Sequence, residues 1–412
     1  MSGPDVEKNQ SMLSLATSER TEFFTESVIR EMTRLALEHN AVNLAQGFPD
    51  YDLPEVMKKG AIEAIEAGLN QYAITWGTKN LREAIAKKFK AVQGLEISPE
   101  TEVTVTCGST EAMIASLFAI VNPSDEVIVF EPFYENYGPD AVLSSAITQY
   151  VSMKPPSKDS KETEWTFDFD ELKAAFNDKT KAIIINTPNN PTGKVFTRKE
   201  LEFIAELCQK WNVFVITDEI YDHMVYDGLE HISMVTLPGM RERTITINAI
   251  SKTYSATGWR VGWAVAPPAI TKSIRKVHDF LTVGAPHPLQ EGAAKALGLP
   301  QDYYKKLLAA YVYRREFLLK TLQNAGFEAW KPYGAYYIMV DFTDLWERNQ
   351  EKWKLNNELD FAHWMAREIG VAAVPGNGFY RIPFYGRTKL RFSFGRRNEV
   401  LQEAAAKLAK LK

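Results

Sequence analysis

Seven short apolar runs punctuate the middle of the chain: VTVTCG from Val103, EVIVFEP from Glu126, ITQYVSM from Ile147, KAIIINTP from Lys181, VFVITDE from Val213, TITINAI from Thr244 and VGWAVAP from Val261. Each is rich in Val and Ile and bounded by Pro, Gly or Asn, which predicts buried strands. Helical patterns lie between several of them. The clearest is Arg198 to Trp211, where Leu201, Ile204, Ala205, Cys208 and Trp211 recur at helix spacing and Thr197 with Glu200 supplies a capping box. Strands alternating with helices predict an α/β fold, a mostly parallel seven-stranded sheet covered on both faces.

The flanks differ. Ser27 to Asn40 is an amphipathic helix pattern, and the last third mixes helices with strands such as AYYIMVDF and KLRFSF before a closing helix, Asn398 to Leu411. A smaller α+β layer built from both termini is expected, and 412 residues are too many for one core. The expected division is 1–60 (N-terminal segment and part of the small domain), 61–300 (large domain) and 301–412 (small C-terminal domain). The tract KPPSKDSKETE, from Lys154, reads as a surface loop. The 48 Lys plus Arg against 52 Asp plus Glu give a net charge of −4, with no electrostatic footprint for nucleic acid or an anionic membrane. Two cysteines, Cys107 and Cys208, make neither a disulfide framework nor a four-cysteine zinc site, so no metal is expected. Without a signal-peptide core in the first twenty residues or an apolar span of membrane length, the reading is a cytoplasmic protein.

Ligands of open α/β sheets bind beyond the carboxyl ends of the strands. The residues just past the runs form a chemically coherent set: Tyr134 after the second, Asn190 after the fourth, Asp218 and Tyr221 after the fifth, Ser251 and Lys252 after the sixth. After the first, Gly108-Ser109-Thr110 opens a helix, whose N–H groups and dipole suit a phosphate, and Arg260 offers a forked cation for the same anion. Taken singly, Lys252 reads as a surface lysine, Asp218 as an N-cap and Tyr134 and Tyr221 as core aromatics. Their joint occurrence at strand ends overturns those readings. A lysine forms a Schiff base with an aldehyde, a carboxylate holds a ring nitrogen protonated, an amide and a phenol bond a ring hydroxyl, and an aromatic stacks on the ring. The cofactor so described is pyridoxal 5′-phosphate.

NTPNNPTGKVF, TDEIYDHMVYDG and SKTYSATGWRVGW resemble the signature blocks of the class I/II aminotransferases, the fold type I pyridoxal-phosphate enzymes of the aspartate aminotransferase superfamily. The resemblance runs from about Val42 to the end of the chain. It implies Lys252 as the Schiff-base lysine, Asp218 at the pyridine nitrogen, Tyr221 and Asn190 at the ring hydroxyl, Tyr134 on the ring, and Ser109, Thr110 and Arg260 on the phosphate. Tyr72 in NQYAITWGTKNLREAI is similar to a tyrosine that reaches the neighbouring subunit's phosphate, which implies a homodimer with shared sites. Gly47 in NLAQGFPDYDLP is similar to a glycine bordering the substrate, and Arg391 in KLRFSFG to the arginine that clamps the α-carboxylate. Strand alternation supports Arg391 independently, because Leu390, Phe392 and Phe394 share the opposite face. Two positions depart from the pattern. Ala249 replaces a hydroxyl found three residues before the lysine in many relatives, with Ser251 close by, and Thr110 stands where some kynurenine enzymes have an aromatic.

QGFPDYD, NQYA, EPFYENYGP, HISMVTLPGM and IRKVH resemble the kynurenine, glutamine and methionine aminotransferase group. This implies ping-pong transfer from an L-amino acid with a large neutral side chain (glutamine, methionine, aromatic or kynurenine-like) to a 2-oxo acid. The alternatives are an aspartate or aromatic aminotransferase and a cysteine-conjugate carbon–sulfur β-lyase. A dicarboxylate substrate needs a second cation, for which Arg275, Arg381 and Arg387 stand as alternatives. A nicotinamide oxidoreductase would need a G-x-G-x-x-G turn, which the chain lacks.

Overall fold

All seven apolar runs are strands of one large sheet. The structure, a computed structural model, describes residues 17–24, 26–157, 163–358 and 360–411. After a two-residue strand β1 (Val42–Asn43) come β2 (Val103–Thr106), β3 (Glu126–Glu131), β4 (Ile147–Lys154), β5 (Thr166–Phe167), β6 (Thr180–Asn186), β7 (Phe214–Asp218), β8 (Thr244–Ala249) and β9 (Gly262–Val265). The order across the sheet is β2-β9-β8-β7-β6-β3-β4-β5. Every residue of β2, β3, β8 and β9 is buried, as continuous apolar runs covered on both faces require.

The eighth strand, β5, escapes sequence reading because two residues carry no periodicity. It forms the edge of the sheet, antiparallel to β4, and its Phe167 ring sits 4.9 Å from Phe130. Of the tract expected to form a loop, Lys154 closes β4 and residues 155–157 are irregular; residues 158–162 lie outside the described part.

Strand direction positions the site. β8, β7, β6, β3 and β4 run parallel. β9 is antiparallel to both of its neighbours, β8 and β2, so β2 points the same way as the parallel set. The carboxyl ends of six strands therefore share one edge. The reversed strand β9 brings its amino end, just after Arg260, to that same edge.

The predicted helix at 198–211 is Arg198–Trp211, with both bonds of its capping box made: Glu200 N donates to Thr197 Oγ1 at 3.3 Å and Thr197 N to Glu200 Oε2 at 2.8 Å. The N-terminal amphipathic pattern is the helix Val28–Glu38, capped by Ser27. The closing pattern is a helix, Asn398–Leu408, followed by the 3₁₀ turn Ala409–Leu411.

The C-terminal third adds β10 (Glu328–Ala329), β11 (Tyr337–Asp341), β12 (Val371–Ala372), β13 (Val374–Pro375) and β14 (Lys389–Ser393). Four of these form an antiparallel sheet, β10-β11-β14-β13, while β1 pairs in parallel with β12 and ties the N-terminal segment to the C-terminal part. One apolar cluster joins Met32 and Leu44 of the N-terminal segment, Ile128 and Phe130 of the large sheet, and Val340, Phe392 and Leu401 of the C-terminal part.

The start of the helix Gly108–Ile120 packs directly on the amino end of β9. Gly108 has φ +81°, and a Cβ there would stand 2.2 Å from the Arg260 guanidinium; a Cβ on Gly262 would stand 2.5 Å from Gly108 C and Ser109 N. Only glycine permits the approach. Gly262→Ala must push the helix start off the strand, and a loss of about 1–3 kcal/mol in urea unfolding is expected; unchanged stability would show that the junction yields freely.

Candidate active site

Eleven of the twelve residues singled out in the sequence converge on one cleft: Gly47, Ser109, Thr110, Tyr134, Asn190, Asp218, Tyr221, Ser251, Lys252, Arg260 and Arg391. The cleft encloses about 940 Å³, open solvent at its mouth included. The twelfth, Tyr72, is 85% exposed and lies away from it.

Asp218 ends β7, where Asn186 of β6 is its register partner. Its Oδ2 accepts the Tyr137 hydroxyl at 2.8 Å and its Oδ1 the Ile220 N–H at 3.3 Å. Burial pushes its pKa up to about 6, although these two bonds and the Lys252 ammonium act the other way. An interior carboxyl so placed gains from a cation or N–H donor delivered by a ligand.

Lys252 lies three residues past the end of β8, and its Nζ donates to the Gly47 carbonyl at 2.6 Å. Burial lowers its pKa, and the Arg391 and Arg260 cations add to that, against the opposing pull of Tyr337 and Asp218. A lysine held this way presents a neutral, nucleophilic amine more readily than a solvated one.

Arg391, on β14, is fully buried. Nη1 donates to Asn190 Oδ1 at 2.7 Å and Nη2 to the Ala45 carbonyl at 2.9 Å, while Nε has no partner. Among the described residues no carboxylate pairs with it, so the interior holds a guanidinium whose counter-ion must come from outside. Arg260, left-handed at φ +53°, bonds the carbonyls of Thr257 at 2.9 Å and Cys107 at 3.3 Å. It likewise has no carboxylate partner among the described residues. Beside it stand the N-terminus of the helix Gly108–Ile120, the Ser109 and Thr110 hydroxyls and Ser251, an anion cradle separate from Arg391. Ala249 is buried in β8 and offers nothing to it.

Sequence reasoning missed several participants. Asn186 and Tyr137 were legible, one as the last residue of a strand and the other as an aromatic three past Tyr134. Asn186 Oδ1 fixes the Asn190 backbone N–H at 2.7 Å and its Nδ2 the Asp218 carbonyl at 3.0 Å. Tyr337, whose hydroxyl is 3.1 Å from that of Tyr221, and Ser27 with Arg30 at the cleft mouth come from distant segments and left no local signal. None of Arg275, Arg381 and Arg387 lines the cleft. Arg275 donates to the Val103 carbonyl, Arg381 lies over Tyr150, and Arg387 lies over Phe384 near Glu358. Among the described residues no group of three or more His, Cys, Asp or Glu is placed to hold a metal.

The sequence profile of the family Aminotransferase class I and II matches residues 39–408. The chain belongs to that family. It is 37% identical to kynurenine–oxoglutarate transaminase of Dictyostelium discoideum, covering 96% of each chain. With methionine aminotransferase of Escherichia coli (strain K12) it shares 33% identity over 93% of this chain and 96% of the other. Among solved structures, N-succinyldiaminopimelate aminotransferase from Mycobacterium tuberculosis superposes with a TM-score of 0.90 at 35% identity, covering 96% of this chain and all of that one. The fold is that of the fold type I aminotransferases, and the enzyme is a pyridoxal-phosphate-dependent transaminase.

The residues present fit that cofactor. The cradle at Gly108, Gly262 and Arg260 is an anion site without a carboxylate among the described residues, suited to a phosphate, and the buried Asp218 carboxyl in the same cleft suits a protonated ring nitrogen. The sign of the Asp218 effect comes from its raised pKa. The unfolded chain ionises near 3.8, so as pH rises from about 4 to about 6 this carboxyl progressively takes stability away from the cofactor-free fold, and below that window it takes none. Asp218→Asn is therefore expected to stabilise the cofactor-free aminotransferase at pH 8, by up to about 3 kcal/mol, and to leave it unchanged near pH 4. Thermal melts of both proteins at the two pH values check this, and equal melting at pH 8 would refute it.

Proposed function

We propose that this aminotransferase moves the amino group of an L-amino acid with a large neutral side chain to a 2-oxo acid. The observation that carries the reading is the pair of unmatched cations: Arg260 in the anion cradle and the buried Arg391, which asks for a carboxylate. The kynurenine–oxoglutarate and methionine enzymes among the relatives support this substrate class.

Bound in the cleft, pyridoxal phosphate supplies the carbonyl that takes up the amino group and the electron-withdrawing ring that acidifies the substrate α-C–H. Arg260, the helix N-terminus, Ser109, Thr110 and Ser251 would bind its phosphate. Asp218, oriented by Tyr137, would keep the ring nitrogen protonated. Asn190 and Tyr221 would hold the ring hydroxyl, and Tyr134 would supply an aromatic face to the ring. Arg391, aimed by Asn190 and the Ala45 carbonyl, clamps the substrate α-carboxylate next to Gly47. Lys252 would hold the cofactor's carbonyl carbon and, as a neutral amine, would take the proton from the substrate α-carbon, a transfer its lowered pKa favours. A 2-oxo acid then reverses the sequence. Lys252→Ala should lose turnover by several orders of magnitude while still binding the cofactor noncovalently; near-normal transamination by that variant would refute the assignment.

The acceptor end is read from the cleft mouth. Arg30, exposed on the first turn of the helix Val28–Glu38, lines the cleft; the nearby Glu26 pairs with Arg34 at 2.6 Å and also feels the Arg30 charge. Ser27 anchors this turn by bonding Glu135 at 2.5 Å. In this reading Arg30, lining the cleft, is the second cation that a dicarboxylic 2-oxo acid needs. Arg30→Gln should raise KM for 2-oxoglutarate about threefold to tenfold relative to pyruvate while leaving KM for a neutral donor in place; an equal change for both acceptors would exclude the role.

The aminotransferase is further read as a homodimer. Tyr72, Ile74, Phe280 and Val283 are exposed and lie on segments stitched together by His278 to the Thr75 carbonyl at 2.8 Å and His287 to the Gln71 carbonyl at 3.0 Å. A second copy covering this apolar surface would receive Tyr72 at its phosphate. In this reading residues 61–300 hold the cofactor and 1–60 with 301–412 carry Arg391 to it. Two unpaired thiols, Cys107 and Cys208, accord with a cytoplasmic enzyme.

A further inference from the structure

Tyr221 and Tyr337 meet hydroxyl to hydroxyl at 3.1 Å, at 2% and 1% exposure. Their rings cross at 85° with centroids 5.9 Å apart. The Tyr337 hydroxyl lies against Gly47, where a Cβ would stand 2.6 Å from it. The Gly47 carbonyl is already taken by Lys252 Nζ at 2.6 Å and Tyr336 Oη at 2.8 Å. The Arg391 guanidinium covers the Tyr337 ring at 4.2 Å. The titratable and charged groups around the pair are thus Asp218 on β7, Lys252 past β8, Arg391 on β14, Tyr336 beside β11 and Tyr134 past β3.

Proton counting gives this contact a direction. Each phenol has one hydrogen to donate and two lone pairs to accept with. If Tyr221 gives its hydrogen to the cofactor's ring oxygen, as proposed above, the bond between the two tyrosines can only be made with the hydrogen of Tyr337. We propose that Tyr337 is a positioning residue that donates to the Tyr221 oxygen, turns the Tyr221 hydrogen toward the ring oxygen and strengthens it as a donor. Chained hydrogen bonds polarise one another, so the second phenol acts on the ring oxygen without touching it. Electrostatics favours this direction. Burial raises both phenols, but at Tyr337 the Lys252 and Arg391 cations, together with its hydrogen bonding to Tyr221 and Tyr336, outweigh it and hold its pKa below the ordinary tyrosine value, whereas Tyr221 stays well above. The more acidic phenol is the better donor.

This inference rests on the reading of Tyr221 as the partner of the ring oxygen, and the test separates the two. Donors on the ring oxygen make it less basic and weaken its hold on the proton it shares with the Lys252 nitrogen in the loaded enzyme. Absorbance of the holoenzyme, titrated with pH, reports that proton. Tyr337→Phe keeps the ring under Arg391 and should raise the midpoint by about 0.5 pH unit. Tyr221→Phe should raise it further, and in that background Tyr337→Phe should add no more. An unmoved midpoint in Tyr337→Phe beside a raised one in Tyr221→Phe overturns the proposal and leaves the Tyr221 reading standing. Equal Tyr337→Phe shifts in both backgrounds also overturn it, since Tyr337 would then act without Tyr221. An unmoved midpoint in Tyr221→Phe overturns the reading beneath it and the proposal together.

Discussion

The whole site depends on strand direction. Six strands of the large sheet end on one edge, and the reversed β9 begins there, so residues scattered from Ser109 to Arg260 meet without any long excursion of the chain. A parallel sheet leaves its terminal carbonyls and loop N–H groups at the rim, where helix N-termini gather and anions bind. Reversing β9 matters as much as the parallel run. With β9 parallel, Arg260 would sit at the opposite edge, far from the helix start it now touches through Gly108 and Gly262.

Within that frame the interior charges are incomplete by design of the chain. Arg391 and Arg260 have only carbonyl and amide partners, and Asp218 is buried without a cation bonded to it. The buried Arg391 and Asp218 raise the energy of the empty fold, and all three fall in energy when a ligand of opposite charge arrives. A phosphate, a protonated ring nitrogen and a substrate carboxylate match the three in sign. The same residues that make the cofactor-free protein less stable therefore draw ligand binding energy into orientation.

Much of this was legible in the sequence because it lies in short range along the chain. Strand ends followed by Asn190, Asp218 and Lys252 show themselves in a short window, as does the capping box at Thr197. The eighth strand was hidden because two residues have no period. Arg30 and Tyr337 were hidden for another reason: they reach the cleft through the pairing of β1 with β12 and of β11 with β14, contacts between segments far apart in the chain that no local pattern encodes. The three arginines weighed as a second cation, Arg275, Arg381 and Arg387, were reasonable by residue type and wrong by place, since helix and loop packing turns each toward a carbonyl, an aromatic or Glu358.

In the proposed reaction, the position of Arg30 would let one cleft serve two unlike substrates. With the proposed donor and a dicarboxylic acceptor, the enzyme would have to admit a neutral side chain in one half-reaction and an acidic one in the other, through the same opening. A buried second arginine would reject the neutral donor, because it would be left desolvated and unpaired, a penalty of several kcal/mol. An exposed arginine at the mouth keeps its water when the donor is bound and exchanges it for a carboxylate when the acceptor arrives, so discrimination is mild in both directions. In that reading the contrast between the buried Arg391 and the exposed Arg30 has a functional sense: the α-carboxylate, common to every substrate, would meet the cation that cannot be solvated, and the variable end the one that can.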